Sequence, residues 1–396
     1  MGGLNRRTAL GLGAAALLAP GRARAETVTL PFANGERPLV SYPGKRKLIG
    51  LTSRPPQLET PFSVYTEGLI TPNDAFFVRY HLSDIPLSID PDTFRLVVKG
   101  HVTNEVSLSL AELKAMGSTE IVAVNQCSGN GRGFFEPRVA GGQAANGLMG
   151  NAKWTGVPLR AVLDRAGVKP GAVQVQFDGL DGPVADKTPD FAKALELDHA
   201  RNNEVMLAWA MNGEDLPFLN GYPLRLVVPG YFGTYWVKHL NEITVLDKPL
   251  ANFWMATAYR IPDNDCNCVT PGTPPAKTRP IGRYKVRSFI TSVQSGAALK
   301  AGPVALSGIA FDGGSGIKGV EVSADGGTTW QAAALGADLG HYSFRGWTAA
   351  VTLAPGDHAL KVRATSNAGE TQPVEQPWNP SGYLRNLIET TAVRAA

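Results

Sequence analysis

The stretch Glu120–Gly133, EIVAVNQCSGNGRG, decides how the rest of the chain is read. Its apolar run, Ile121-Val122-Ala123-Val124, has the character of a buried strand. The strand signal stops at Asn125-Gln126-Cys127, and Gly129, Gly131 and Gly133 follow around a single arginine, Arg132. A thiol at a strand end has two readings. Free cysteines are among the most buried residue types and are commonly inert. With a cation five residues on, the same thiol can instead ionise, and a thiolate is a nucleophile or a soft metal ligand. The glycines would let a large group approach the backbone.

Working outward, the 396 residues are 43% hydrophobic and 18% charged, which describes a globular chain. Its length exceeds what one hydrophobic core usually serves, so two domains are expected. The 44 Gly and 29 Pro favour turn-rich, β-dominated architecture. Residues 1–25 read as a targeting segment: Arg6-Arg7, an apolar run from Ala9 to Ala19, then Ala23-Arg24-Ala25 as a small-x-small cleavage site. The apolar run is too short to span a bilayer. The paired arginines with Thr8 resemble a twin-arginine signal, with a general secretory signal as the alternative. Loss of this segment takes the net charge from +4 to 0, so the basic balance carries no message about nucleic acid. No basic aromatic patch of the kind such binding needs is visible. No other apolar run is long enough for a membrane span, and the mature protein is expected to be soluble.

Three cysteines are present, Cys127, Cys266 and Cys268. The Cys266-Asn267-Cys268 spacing is too close for ordinary disulfide geometry, a strained ring being the alternative. There is no Cys-x-x-Cys-His for covalent haem and no His pair at helical metal-ligand spacing, so neither a c-type haem nor a conventional zinc site is expected.

Between about residues 45 and 284 short strands mix with a few helices. TFRLVVKG (Thr93–Gly100), VQVQFDGLDG (Val173–Gly182) and YPLRLVVPG (Tyr222–Gly230) read as strands. SLAELKAMG carries Ser109 and Glu112 at capping-box spacing and stops at Gly117. VPLRAVLDRAGV is a second helix, opened by Pro158 and closed by Gly167. The order is α+β with a mixed sheet, without the βαβ alternation, Gly-x-Gly-x-x-Gly or P-loop of a nucleotide fold. A Pro-rich linker, Val269–Gly282, leads to a different texture. From 285 to 396 about seven short alternating segments, one turning at Asp325-Gly326-Gly327, read as an immunoglobulin-like β-sandwich.

Two further clusters join Cys127. In NDAFFVRYH, Arg79 and His81 would share one face of a strand, and an arginine after an apolar run is costly to bury without an anion. In FLNGYPLRLVVPGYFGTYWVKHL, Arg225 interrupts a strand and Lys238 follows a glycine loop. Each has a bland reading as surface charge. Together they describe an anion-binding cavity with one soft ligand.

FFVRYH, NQCSGNGR, GLDG, GYPLRLVVPG and AYRIP, in that order, resemble the sulfite oxidase family of molybdenum enzymes, the exported bacterial sulfite dehydrogenases among them. The resemblance runs from about 45 to 390. It implies a sulfite-oxidase-type molybdopterin domain at 45–284 and an immunoglobulin-like dimerisation or partner-binding sandwich at 285–396. It implies one Mo-molybdopterin per chain and no haem or flavin, with Cys127 as the protein's ligand to molybdenum. Phe77, Val78, Arg79, Tyr80, His81, Asp181, Asn220, Arg225, Trp236, Val237 and Lys238 would hold the cofactor. Asn220 stands where many relatives have His, and His81 reads equally well as a satisfied core histidine. Sulfite would meet Arg79, Arg132 and the Tyr259 hydroxyl, and the sandwich offers Arg345 as a further candidate. Electrons would leave singly to an external c-type cytochrome, as a permanent subunit or a transient partner, in the periplasm after twin-arginine export. A homodimer and a cytochrome heterodimer are both compatible. A same-fold reductase of methionine sulfoxide is the alternative enzyme; those relatives generally lack the sandwich and the Arg-x-His pair, although Asn220 leans their way. Assimilatory nitrate reductases share the cysteine but carry haem and flavin domains. A non-catalytic binding module, with Cys127 structural, is the alternative outside enzymes.

Overall fold

The computed structural model describes residues 26–396, so the 1–25 signal reading lies outside the described residues. The chain opens with an antiparallel sheet of five strands in sequence order: β1 (Thr27–Thr29), β2 (Glu36–Val40), β3 (Leu48–Ser53), β4 (Pro56–Glu59) and β5 (Val78–Arg79). This sheet begins ahead of residue 45, where the sequence pattern suggested the domain starts. Its first two strands are half exposed and polar, so they carry no alternation to read.

Two further sheets form the body of the domain. β6 (Arg95–Gly100), β7 (Val106–Ser109), β10 (Gln174–Gly179), β11 (Ala192–Glu196) and β15 (Leu240–Leu246) make a mixed sheet in the order β11-β10-β15-β6-β7, with β15 and β6 parallel. β8 (Thr119–Gln126), β9 (Met149–Pro158), β12 (Met206–Met211) and β13 (Glu214–Asp215) make the other, and β14 (Arg225–Val227) pairs with β12. The core between these layers includes Val98, Ala123, Trp154, Val175, Leu207 and Ile243. Gly156 lets β9 and β12 approach closely, because a Cβ there would lie 2.1 Å from the Leu207 carbonyl oxygen.

Helix α1 (Leu110–Ala115) starts at the expected capping box: the Ser109 hydroxyl accepts the Glu112 amide and the Glu112 carboxylate accepts the Ser109 amide. Helix α2 (Leu159–Ala166) is closed by Gly167 at φ 72°, and Pro158 both ends β9 and stands as the N-cap residue that opens the helix.

The Pro-rich segment is not wholly a linker. Thr278–Pro280 pairs with Arg260–Pro262, and Ile281 is buried in the main core. Beyond it two sheets stack as a sandwich. One orders Arg287–Ile290, Gly302–Phe311, Arg345–Leu353 and Ala334–Leu335; the other orders Ala297–Leu299, Thr390–Ala395, Gly356–Ser366, Ile317–Ser323 and Gln331–Ala332. The expected hairpin is present, with Glu321 opposite Ala332 and Asp325 accepting from the Thr328 and Thr329 amides across the turn. Trp347, Leu306, Val322 and Leu360 fill the sandwich core. Among the described residues no helix is long and apolar enough to cross a membrane.

Candidate active site

β8 delivers Cys127 to the wall of a cavity that also takes residues from the N-terminal sheet and from the 218–238 region. The Cys127 amide donates to the Leu148 carbonyl (2.9 Å), and its carbonyl accepts from Asn130 (3.0 Å), so the loop turns back under the thiol. The glycines that follow serve this chain's own side chains. A Cβ on Gly129 would lie 2.9 Å from the Arg132 guanidinium, and one on Gly133 would lie 2.3 Å from the Phe32 ring. The open glycine loop is therefore filled from within, a correction to the reading that it leaves room for a large group.

Along β5 and beyond, Phe77, Arg79 and His81 face the cavity while Val78 and Tyr80 pack with Leu48 and Leu58 on the other side. The period of two makes the shared face of Arg79 and His81 and takes the Val78 and Tyr80 side chains out of the lining. Tyr80 donates instead toward His239 Nε2 (2.7 Å). Arg79 Nη2 donates to the Tyr259 hydroxyl (3.3 Å), and His81 Nε2 lies 2.6 Å from the same oxygen. Tyr259 holds a left-handed backbone at φ 56° to present that hydroxyl. Burial raises its phenol, and burial with the nearby Arg79, Lys238 and Lys193 charges holds His81 far below its ordinary range, so the imidazole is neutral.

The other wall is cationic. Arg225 is buried with its guanidinium against the edge-to-face pair Trp154 (4.8 Å) and Trp236 (5.6 Å). It donates to the Asn220 and Trp236 carbonyls (2.7 and 3.3 Å), and burial brings it down to about 9. Lys238 is half-buried and its ammonium donates to the Arg79 carbonyl (2.6 Å). Burial drives its ammonium well down, opposed by Asp181, itself raised by burial to about 6. Asp181 and Val237 stand behind the lining rather than in it. No carboxylate lines this cavity among the described residues.

Two cations were missed in the sequence. Lys45 donates to Asn220 Oδ1, Asn73 O and Phe76 O, and burial lowers it to about 7. It lies in GKRK, where it looks like any surface basic run. Lys193 is fully buried, donates to Trp254 O (2.7 Å), and sits over the rings of Tyr235 (4.7 Å) and Tyr259 (5.3 Å); burial lowers it to about 7. It carried a legible signal, a lysine inside the apolar run Phe191–Leu195, the same signal that singled out Arg79 and Arg225.

Arg132 is not in the lining. Its Nε donates to Ser381 O (3.1 Å) and its guanidinium lies 5.0 Å from the Tyr383 ring. Tyr383, from the sandwich half, stacks on Tyr259 at 5.7 Å and 4°. Arg345 is also absent from the lining, pairing with Asp338 at 2.8 Å.

Residues 82–254 match the Oxidoreductase molybdopterin binding domain, and residues 278–395 the Mo-co oxidoreductase dimerisation domain. The chain is 32% identical over 387 residues to mitochondrial sulfite oxidase of Homo sapiens, covering 92% of this chain and 69% of that one. It belongs to the sulfite oxidase family. Sulfite oxidase of Arabidopsis thaliana is 29% identical over 390 residues, covering 92% of this chain and 98% of the relative. The mitochondrial enzyme of Rattus norvegicus is 33% identical over 355 residues, with 85% of this chain covered, and this chain spans only 63% of its length. The crystal structure of the sulfane dehydrogenase SoxCD from Paracoccus pantotrophus superposes with a TM-score of 0.73 at 25% identity, covering 98% of this chain and 93% of that one.

A sulfite oxidase family member takes Mo-molybdopterin, and the cavity fits that group. Asn125 Oδ1, Ser128 Oγ, Thr234 Oγ1 and Arg225 Nε are buried without a hydrogen-bond partner, and all four residues line the cavity. Buried polar atoms are normally satisfied, so four orphans around one cavity mark the place of a polar group. Arg79, Arg225 and Lys238 without a lining carboxylate suit a phosphate, and the free thiol of Cys127 suits a soft metal. Gly233 allows the close approach of this wall, since a Cβ would lie 2.4 Å from Asn125 Oδ1.

Proposed function

We infer that this sulfite oxidase family member oxidises sulfite to sulfate and passes the electrons singly to an external c-type cytochrome, after export to the periplasm by the twin-arginine route. The observation that carries this is the convergence of Arg79 and His81 on the Tyr259 hydroxyl beside the Cys127 thiol. When bound, the molybdenum cofactor supplies the oxygen atom and takes up two electrons.

Sulfite is a small oxyanion with a lone pair on sulfur. The half-buried Arg79 guanidinium supplies its counter-charge from the cavity wall, where a fixed cation is worth more than in bulk solvent. With the neutral His81 protonated at Nε2, the Tyr259 oxygen accepts from both His81 and Arg79. Its own hydrogen is then free to donate to a sulfite oxygen, and burial keeps that hydrogen in place. Lys193 and Tyr383 hold the ring from two sides, so the hydroxyl position is set before substrate arrives. Arg132 acts one layer back, through Tyr383. Arg225, Asn220 and Lys238 would bind the cofactor, and Cys127 would ligate the metal.

The test is sulfite-dependent reduction of ferricyanide or cytochrome c by molybdenum-loaded protein, with metal content read on the same sample. Turnover that disappears in Cys127→Ser and Tyr259→Phe supports the reading. Loaded protein that ignores sulfite overturns it. A bound sulfane sulfur, the substrate class named for the superposed dehydrogenase, is then the second reading, ahead of a sulfoxide. The export reading is tested by replacing Arg6 and Arg7 with Lys, which should keep the protein in the cytoplasm.

A further inference from the structure

Cys266 and Cys268 lie outside the cavity, and the structure joins them in a disulfide, which the sequence reading held open only as a strained ring. The loop that carries them leaves Arg260–Pro262, the strand directly after Tyr259. Its backbone is held independently of the sulfur bridge. Asn264 Nδ2 donates to Cys268 O (2.8 Å), and Asn264 Oδ1 accepts the Cys268 amide (3.1 Å). Asn267 is buried at φ 51° and donates to Pro262 O (3.2 Å) and Asn264 O (2.9 Å). Opening the bridge would leave these bonds in place. The two sulfurs differ in access: Cys266 is exposed and Cys268 half-buried. Cys266 borders an open hollow that also has Lys285, Glu370, Gln376 and Asn379 in its wall. An accessible disulfide over a hollow is an electrophile with room for an incoming group.

We propose that the Cys266–Cys268 disulfide is a modification site for sulfur oxyanion nucleophiles, with sulfite opening it to an S-sulfonate on Cys266 and a free thiol on Cys268. The sulfite sulfur lone pair forms a new S–S bond to Cys266 Sγ. The Cys266–Cys268 bond breaks, and its electron pair leaves on Cys268 Sγ, which takes a proton from water. No further oxidant or reductant is consumed. Access selects Cys266 as the sulfur attacked. The Lys285 ammonium, held only at 3.8 Å by Glu370, is available to face the added sulfonate, while the Asp265 and Glu370 carboxylates in the same wall oppose it. The reaction reverses when the Cys268 thiolate attacks Cys266 Sγ, re-forming the Cys266–Cys268 bond and expelling sulfite with the electron pair of the broken S–S bond; the short tether gives it a high effective concentration for doing so. The hollow is bordered by Asn379 and Leu384, which flank the strap residue Tyr383 that stacks on Tyr259, so the modified loop lies against the segment that supports the cavity.

The proposal rests on the sulfite reading only for its choice of nucleophile. The test incubates the purified full chain with sodium sulfite, without an electron acceptor and with oxidised glutathione in the same tube as a reference disulfide. New thiols are then alkylated with iodoacetamide and the peptides mapped by mass. The expected result is a sulfonate on Cys266 and an alkylated Cys268, lost in Cys268→Ser. An intact Cys266–Cys268 bridge when the glutathione disulfide has been consumed overturns the proposal, as does sulfonate on Cys268 instead of Cys266. The labelling needs no molybdenum, so cofactor-free protein should give the same map. Failure of turnover therefore speaks only to the sulfite oxidation reading, and failure of labelling only to this one.

Discussion

At the residue scale, Arg225 carries a burial cost that a bound phosphate would offset. It is buried against a pair of indoles with Nε unpaired and no carboxylate in the cavity lining, an arrangement that costs the cofactor-free protein stability. Replacing it with Met, similar in length and neutral, should leave the melting temperature of the cofactor-free form unchanged or raised. Molybdenum content should fall by roughly tenfold or more, as seen when groups that support a metal site are lost. Metal analysis beside calorimetry of the same preparation checks both. Lys45 and Lys193 lead to a pH prediction. Each releases its proton near 7 in the folded chain and near the ordinary 10.5 when unfolded. Between those values the unfolded state binds more protons, so raising the pH through this window stabilises the folded, cofactor-free protein. Denaturant midpoints at pH 7 and pH 9.5 should show that rise, and Lys193→Met should remove part of it.

At the scale of elements, legibility followed locality. The capping box of α1 was readable because its two hydrogen bonds join residues three apart, and Ser109→Ala should cost about 1 kcal/mol in denaturant unfolding. β8 and the Asp325 hairpin were readable for the same reason, since a run of apolar residues or an Asp-Gly-Gly turn acts within a few positions. β1 and β2 were not: their partners are close in sequence, but the strands are short, polar and half exposed and show no apolar alternation. The Gly129–Gly133 loop was located correctly and interpreted wrongly: its glycines accommodate Arg132 and Phe32, one of them roughly a hundred residues away in sequence.

At the scale of the whole molecule, the sandwich is tied to the catalytic half through Arg287. Buried on the first sandwich strand, it donates to Gln126 Oε1 (3.1 Å), next to Cys127, and to Asn146 Oδ1 (2.9 Å), and pairs with Glu389 at 3.3 Å. Arg287→Met leaves Glu389 partly buried without this partner, although Arg385 still pairs with it, and removes the bond beside Cys127. The expected loss is about 3 kcal/mol, the lower end for breaking a buried pair. A single cooperative transition should split into two as the halves uncouple, a change that differential scanning calorimetry reads directly.

The sequence by itself determined the two-part architecture, the strand that ends at Cys127, and the cations Arg79, Arg225 and Lys238. Each is written in a local pattern, a strand period or a charge breaking an apolar run. Only the tertiary structure decided which of these share a wall. It brought Lys45 and Lys193 to the site, moved Arg132 one layer back behind Tyr383, and turned Val78 and Tyr80 away from the cavity. The physical reason is that a buried cation is placed by the groups that surround it, and here those groups come from strands and straps up to a few hundred residues apart in the chain.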